Sequence, residues 1–352
     1  MNDKPKTFVI LTPGFAKDEA DSTCIPTQQN FVRALKEIYP QLNIIILAFD
    51  YPYVKKRYQW FNNTVVSFNG RNKGGFLKLL LRRKIFSALS EIHASNNIVG
   101  LLSFWYVEGA LIGKKFADKN GLKHICWICG QDAKKGNKYV QRIPLKAGEL
   151  AALSDFLQDE FEKNYGTRPH YVIPPGINTK QFSKSIRQRD IDILAAGSLI
   201  PLKQYEIFID VIAALKKQMP GVNAVLIGDG PEKNKLEALV KMNELQSNIL
   251  LAGELPHAEV LHTMQRAKVF LHPSSYEGFV IAGIEALCAG TEVISFVKPM
   301  HTEIENWHTV KNKEEMIRKT ISILQDQTKE YNSTVPYTIE ETVKKMGALF
   351  SL

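Results

Sequence analysis

Four cysteines in 352 residues are too few for a disulfide framework. Cys126 and Cys129 have C-x-x-C spacing, but they fall in His124–Gly130, an apolar run bounded by Gly121 and Gly130 that reads as a buried strand. Residues three apart on a strand point to opposite faces, and no second pair exists to complete a zinc site. Both therefore read as plain buried thiols. Long apolar runs are missing too. Nothing approaches the roughly 18 apolar residues of a spanning helix. The five-residue run Thr7–Leu11 is shorter than a signal-peptide core of about 7–15 residues. A cytoplasmic protein is expected. Metal-ligand spacing is also lacking: His257, His262, His301 and His308 have no i, i+4 partners and read as ordinary surface or core histidines, so no metal is expected. With 45% hydrophobic and 23% charged residues, the chain has ample material for a core, and its length suggests two domains.

Acidic residues are absent from one long stretch. Residues 51–84 hold nine Lys or Arg (Lys55, Lys56, Arg57, Arg71, Lys73, Lys78, Arg82, Arg83, Lys84) and no Asp or Glu. Residues 1–180 carry 26 basic against 15 acidic side chains, whereas residues 181–352 carry 19 against 21. A locally basic segment points to an anionic partner or to a solvated basic face. Within it, Gly74–His93 reads as one helix whose apolar residues run nearly all the way round. That suits either a helix against an anionic membrane surface or a core helix with snorkelling cations.

Strand-like runs alternate with helical patterns along the whole chain. Thr7–Thr12, Asn43–Phe49, Thr64–Phe68, Ile98–Phe104, Lys123–Cys129, Leu150–Leu153 and Tyr171–Ile173 form the first series. Ile191–Ala196, Asn223–Ile227, Asn248–Leu251, Lys268–Leu271 and Glu292–Phe296 form the second. Such alternation predicts α/β architecture with two Rossmann-like, doubly wound parallel sheets facing a central cleft. The break falls at Pro174-Pro175-Gly176, followed by the polar stretch Asn178–Asp190. The expected domains are 1–177 and 178–335, with a final helix, 336–352, crossing back to the first.

The most informative stretch is His272-Pro-Ser274-Ser-Tyr-Glu277-Gly278-Phe279-Val280, continuing through Glu285 to Gly290. It follows a strand and opens a helix. The amides of Gly278, Phe279 and Val280 fall at a helix N-terminus, where free N–H groups and the helix dipole favour an anion. Two carboxylates there need other work, and sugar or ribose hydroxyls suit them.

This stretch resembles the E-x7-E motif of retaining glycosyltransferases of the GT-B fold, most closely family 4, the glycogen synthase-like or group 1 class. Other segments follow in the family's order. Ala196-Gly-Ser198-Leu-Ile-Pro-Leu-Lys203 resembles G-R-L-x-x-x-K-G. Val225-Leu-Ile-Gly228-Asp-Gly230-Pro231 resembles the V-G-x-G-P turn, Ile249–Gly253 the V-x-F-x-G strand, and Val172–Asn178 the segment that closes the first domain. The match covers roughly residues 170–296 well and the first domain loosely, and each piece alone is weak.

The resemblance implies a nucleotide-diphosphate sugar as donor and a sugar acceptor. The basic first half, with residues 51–84, suits peripheral attachment to the inner membrane face and hence an envelope glycan or lipid-linked acceptor, and with no recognised nucleic-acid module no nucleic acid is expected. Glu285 would bind the ribose, Lys203 would neutralise the leaving diphosphate, and Glu277 with the 278–280 amides would hold the sugar and distal phosphate. Gly14, in the loop after the first strand, would admit the diphosphate. Ser198, Ser274, Gly228, Gly230 and Pro231 would complete the donor site, and Cys129 and Asp132 would serve from the first domain. No cofactor is implied. Ser198 stands where the family has Arg, Cys129 where it has His, and Val280 where it has Gly. These departures leave two rivals: a catalytically silent GT-B scaffold and a sugar-nucleotide epimerase.

Overall fold

The computed structural model describes residues 4–183 and 188–352. Residues 184–187, inside the polar stretch expected after the break, lie outside the described residues, as do residues 1–3. The chain divides into two compact units: Met1–Gly176 with Ile339–Leu352, and Ile177–Thr338. The division falls one residue before the expected boundary, and the return to the first unit comes at Ile339.

The first unit holds an eight-stranded sheet. Its strands are β1 (Lys6–Gly14), β2 (Asn43–Tyr51), β3 (Lys56–Trp60), β4 (Asn63–Ser67), β5 (Asn97–Phe104), β6 (His124–Ile128), β7 (Leu150–Ala152) and β8 (Tyr171–Val172). Their order is β3-β4-β2-β1-β5-β6-β7-β8. The central strands are buried on both faces, as in a parallel sheet covered by helices on each side. Pairing is parallel except between β3 and β4.

Strand β3 was not expected. Trp60 is fully buried against Phe15, with ring centroids 4.8 Å apart, while Lys56, Arg57 and Gln59 face solvent. One buried aromatic fixes the register, and the exposed cations keep this edge strand from pairing further.

The final helix, Ile339–Ala348, belongs to the first unit. It buries Ile339, Val343 and Met346. Phe350, just beyond it, packs edge-on to Phe8 at 4.8 Å and lies over Gly100, where no side chain would fit beside its ring. Thr342 Oγ1 donates to Pro174 O at 2.9 Å.

The second unit holds β9 (Ile191–Ala196), β10 (Ala224–Ile227), β11 (Ile249–Gly253), β12 (Ala267–His272), β13 (Glu292–Ser295) and β14 (Trp307–Thr309). All are parallel, in the order β11-β10-β9-β12-β13-β14. Numbered within the unit, this is 3-2-1-4-5-6, the doubly wound order whose direction reverses between its first and fourth strands. The loops after β9 and β12 therefore open where a ligand of such a sheet sits. The short strand β14 was also unexpected; it is anchored by Trp307, whose indole donates to Ser295 Oγ at 2.9 Å. No helix among the described residues is long and apolar enough to cross a membrane.

Candidate active site

Two loops of the second unit converge at that reversal. The first leaves β9 as Gly197-Ser198-Leu199, makes a single tight turn over Pro201–Lys203, and enters the helix Tyr205–Lys216. The second leaves β12 at His272 and enters the helix Ile281–Cys288. They are clamped together by the carbonyl of Leu202, which accepts from Ser274 Oγ at 3.0 Å and from the Ser275 amide at 3.2 Å. Ser274 is fully buried and holds the loops in place.

The clamp brings Lys203 and Glu277 into an ion pair, Nζ to Oε1. The same Oε1 lies 3.1 Å from His272 Nε2. Burial would raise the Glu277 carboxyl, but the His272 hydrogen bond and the Lys203 charge outweigh it and take the pKa down to about 2. His272 moves down because it is fully buried, with the Lys203 charge adding to the effect. A neutral His272 facing a carboxylate must donate through Nε2. That leaves Nδ1 as an acceptor, and Nδ1 has no partner among the described residues.

Glu285 is placed separately, on the helix Ile281–Cys288. It accepts from His257 Nε2 at 2.8 Å. His257 opens the helix His257–Arg266. Burial works against a charged His257, but the Glu285 hydrogen bond and charge prevail, and its pKa rises. Sequence reasoning set His257 aside for want of an i, i+4 partner. Its hydrogen-bond partner, Glu285, lies on the next helix, 28 residues away. His272 was likewise missed, although it heads the motif.

Phe279 and Val280 are buried, Phe279 lying edge-on to Trp307 and Tyr337 with centroids 6.3 and 6.0 Å away. Their side chains are turned to the core, so the chain presents backbone. Among the described residues no group accepts from the Phe279 or Val280 amides, as expected of a helix start. Ser198 is exposed at the loop tip.

Gly228 and Gly230 serve packing. A Cβ on Gly228 would lie 2.0 Å from Gly197 O, and one on Gly230 would lie 2.6 Å from Leu199 O. Both have φ values, 144° and 156°, that side-chain-bearing residues rarely adopt. Leu199 N donates to Asp229 O at 2.9 Å, so this turn carries the loop that ends at Lys203. Pro231 is exposed beside it.

In the first unit, Gly14 ends β1 itself, opposite Tyr51, where the sequence suggested a loop. A Cβ there would meet Tyr51 Cβ at 3.2 Å. Asp132 is buried and accepts from the amides of Tyr106 at 2.8 Å and Gly130 at 2.7 Å, with Cys129 N at 3.2 Å. Burial nevertheless keeps its pKa raised. Its carboxylate thus orders the loops after β5 and β6. The half-buried Cys129 has its Sγ 4.0 Å from Gln28 Nε2, and its thiol is pushed up by burial. Beside it Trp105 holds φ 63°, a strained conformation for an aromatic residue, at the carboxyl end of β5.

Residues 176–341 match the family model described as glycosyl transferases group 1. That span takes in the whole of the second unit. The second unit matches this family. An uncharacterized glycosyltransferase of Methanocaldococcus jannaschii is 25% identical over 276 residues, 76% of this chain and 73% of that protein. A phosphatidylinositol N-acetylglucosaminyltransferase subunit of Arabidopsis thaliana is 28% identical over 128 residues, 36% of this chain. That match spans 29% of the relative's own length. Among solved structures, Anabaena HepE in complex with UDP and glucose superposes with a TM-score of 0.70 at 14% identity, covering 97% of this chain and 99% of that one. The fold is that of the GT-B neighbours, and Lys203, Glu277 and Glu285 lie in the second unit.

Proposed function

We propose that the chain is a retaining glycosyltransferase moving a sugar from a nucleotide-diphosphate sugar to an envelope glycan or lipid-linked acceptor. The observation that carries this is the Lys203–Glu277 pair at the strand-order reversal, beside the helix start at Phe279–Ile281. Glycosyl transfer passes through an oxocarbenium-like state while negative charge grows on the departing diphosphate. A fixed cation and free amides aimed at that charge lower the barrier because they need no reorganisation. Lys203 supplies the cation, and the amides of Phe279 and Val280 supply the donors. Under this reading no metal is required.

Glu277 then has two tasks. Without donor it holds Lys203 in place. With donor bound, Lys203 moves to the diphosphate, and the carboxylate, ionised at any working pH, accepts from the hydroxyls of the transferred sugar. Glu285, steadied by His257, accepts from the ribose. The first unit takes the acceptor, at the end of β1 by Gly14 and at the loop of Cys129 and Asp132. The protein works at the cytoplasmic face of a membrane, where its basic segment meets anionic lipid.

The UDP bound by HepE makes uridine diphosphate sugars the first donors to test. The stereochemistry is checked by NMR of the product: an α-linked product from an α-linked donor supports retention, and a β-linked one overturns it.

A further inference from the structure

The helix Gly75–Ser95 buries Leu81, Ile85, Leu89 and Ile92 along one face. At about 100° per residue, Phe76, Leu79, Leu80 and Arg83 lie on the opposite face. Phe76 is 70% exposed, Leu77 53% and Leu79 43%. The turn between β2 and β3 adds Tyr53, 62% exposed, and Val54, 44%. Arg71 connects the two groups. Its guanidinium lies 5.7 Å from the centre of the Tyr53 ring, and its Nη2 donates to Tyr53 O at 3.4 Å. The backbone then runs only a few residues, through Lys73, to Phe76.

The nine basic residues of this segment are not equivalent. Lys78 and Arg82 turn inward onto buried Glu108, which also accepts from Tyr139 at 2.9 Å. The remaining seven, Lys55, Lys56, Arg57, Arg71, Lys73, Arg83 and Lys84, are exposed, and none meets a carboxylate among the described residues. The apolar side chains are thus bordered by cations of one sign.

We propose that this face of the first unit docks on an anionic lipid bilayer. Phe76, Leu77, Tyr53 and Val54 enter the headgroup region, and the seven cations meet lipid phosphates. An apolar cluster bordered by Lys and Arg is what interfacial binding requires. Beside the rings of Phe76 and Tyr53, the exposed aliphatic side chains of Leu77, Leu79 and Val54 gain from an acyl phase, which a nucleic acid does not offer. A second copy of the chain would bring the same seven positive charges and be repelled. The inference rests on the reading of a lipid-linked acceptor and identifies the side chains that bring the enzyme to it.

The test is sedimentation of the full chain with phosphatidylcholine vesicles, with and without phosphatidylglycerol. The wild type is expected to pellet only with phosphatidylglycerol present, and binding should fall steeply with added salt. The double variant Phe76→Ser, Leu77→Ser is expected to lose about tenfold or more in vesicle affinity. Replacing Arg71 and Lys73 by Gln should weaken binding about fivefold per charge. The four positions are exposed, so these variants should fold, and circular dichroism checks that they do. Tyr53→Ser offers an independent probe on the other segment. Wild type that ignores anionic vesicles overturns the proposal, as does undiminished binding by the apolar variants. Equal binding to a single-stranded oligonucleotide by wild type and the Phe76, Leu77 variant would make the face a polyanion site instead. Stabilisation by UDP-sugars, measured on the same preparations, separates the two readings. If it persists while vesicle binding is absent, the docking face fails and the transferase stands.

Discussion

Lys203 and Glu277 come from loops after two different strands, 74 residues apart, and meet as an ion pair at the point where the second sheet reverses its strand order. Neither side chain is fully buried, and the pair is held from behind by His272. On the proposed reading, the carboxylate keeps the cation in place until a diphosphate arrives.

The two residues should therefore be coupled. Lys203→Ala is expected to slow donor-dependent nucleotide release by about 10²–10³-fold, the usual cost of losing one group that stabilises transition-state charge. Glu277→Gln should slow it comparably. The double variant should lose much less than the product of the single effects, with a coupling of about 0.5–3 kcal/mol. Single-turnover kinetics on the four proteins measure this. Strict additivity would mean that the two side chains act independently.

Protonation affects the Glu277 and His257 contacts in opposite senses. Glu277 is depressed from 4.5 to about 2, so its ion pair stabilises the fold fully above the ordinary carboxylate range and loses that contribution as pH falls toward about 2. His257 is raised above 6.5, so its contribution is complete below that value and is lost as pH rises through the folded-state pKa. Thermal melts of wild type and His257→Gln should diverge most on the acid side of neutrality and converge in alkali. Parallel curves across the whole range would contradict the assignment.

The glycine turn is expected to be intolerant. Gly228→Ala would press a methyl into Gly197 O and force a residue with a side chain to hold φ 144°. A loss of about 2–4 kcal/mol in unfolding free energy should follow, read by urea titration. Gly221→Ala, at an exposed position with open space around it, is the control and should change stability by less than about 0.5 kcal/mol.

Tyr205 makes a different case. Its side chain is 2% exposed, and its hydroxyl has no partner among the described residues. A Cβ on Gly197 would lie 2.8 Å from that hydroxyl and 4.0 Å from Lys203 Nζ. An orphaned hydroxyl costs stability, so Tyr205→Phe should leave the donor-free protein as stable as wild type or more so. If the hydroxyl bonds Lys203 once Glu277 releases it, donor affinity should fall in the same variant. Isothermal titration with UDP-sugars separates these effects.

Much of the fold was legible because parallel strands buried on both faces leave apolar runs that need no partner to be recognised. Ile191–Ala196 matches its expectation residue for residue. Strand β3 was hidden because one face of an edge strand is charged and only Trp60 marks the other. The candidate site was legible as far as placement goes: Lys203 and Glu277, named from the motifs, meet, and Glu285 lies on the helix that follows. It was obscure where chemistry depends on packing between elements. His257 reaches Glu285 from a neighbouring helix, and no spacing along the chain encodes that contact. Asp132 and Ser274 fit a ligand-binding motif by position, yet their side chains are engaged with backbone amides and carbonyls. Residue type alone does not separate a group that holds a ligand from one that holds a loop.

The central claim is that Lys203, Glu277 and the 279–280 amides act on a nucleotide-diphosphate sugar. The most direct measurement is nucleotide release from UDP-, GDP-, ADP- and dTDP-sugars, with and without EDTA, by wild type and Glu277→Ala. The account predicts release that is selective for one donor, survives EDTA and disappears in the variant. It is contradicted if no nucleotide sugar is cleaved or raises the melting temperature, or if Glu277→Ala releases nucleotide as fast as wild type.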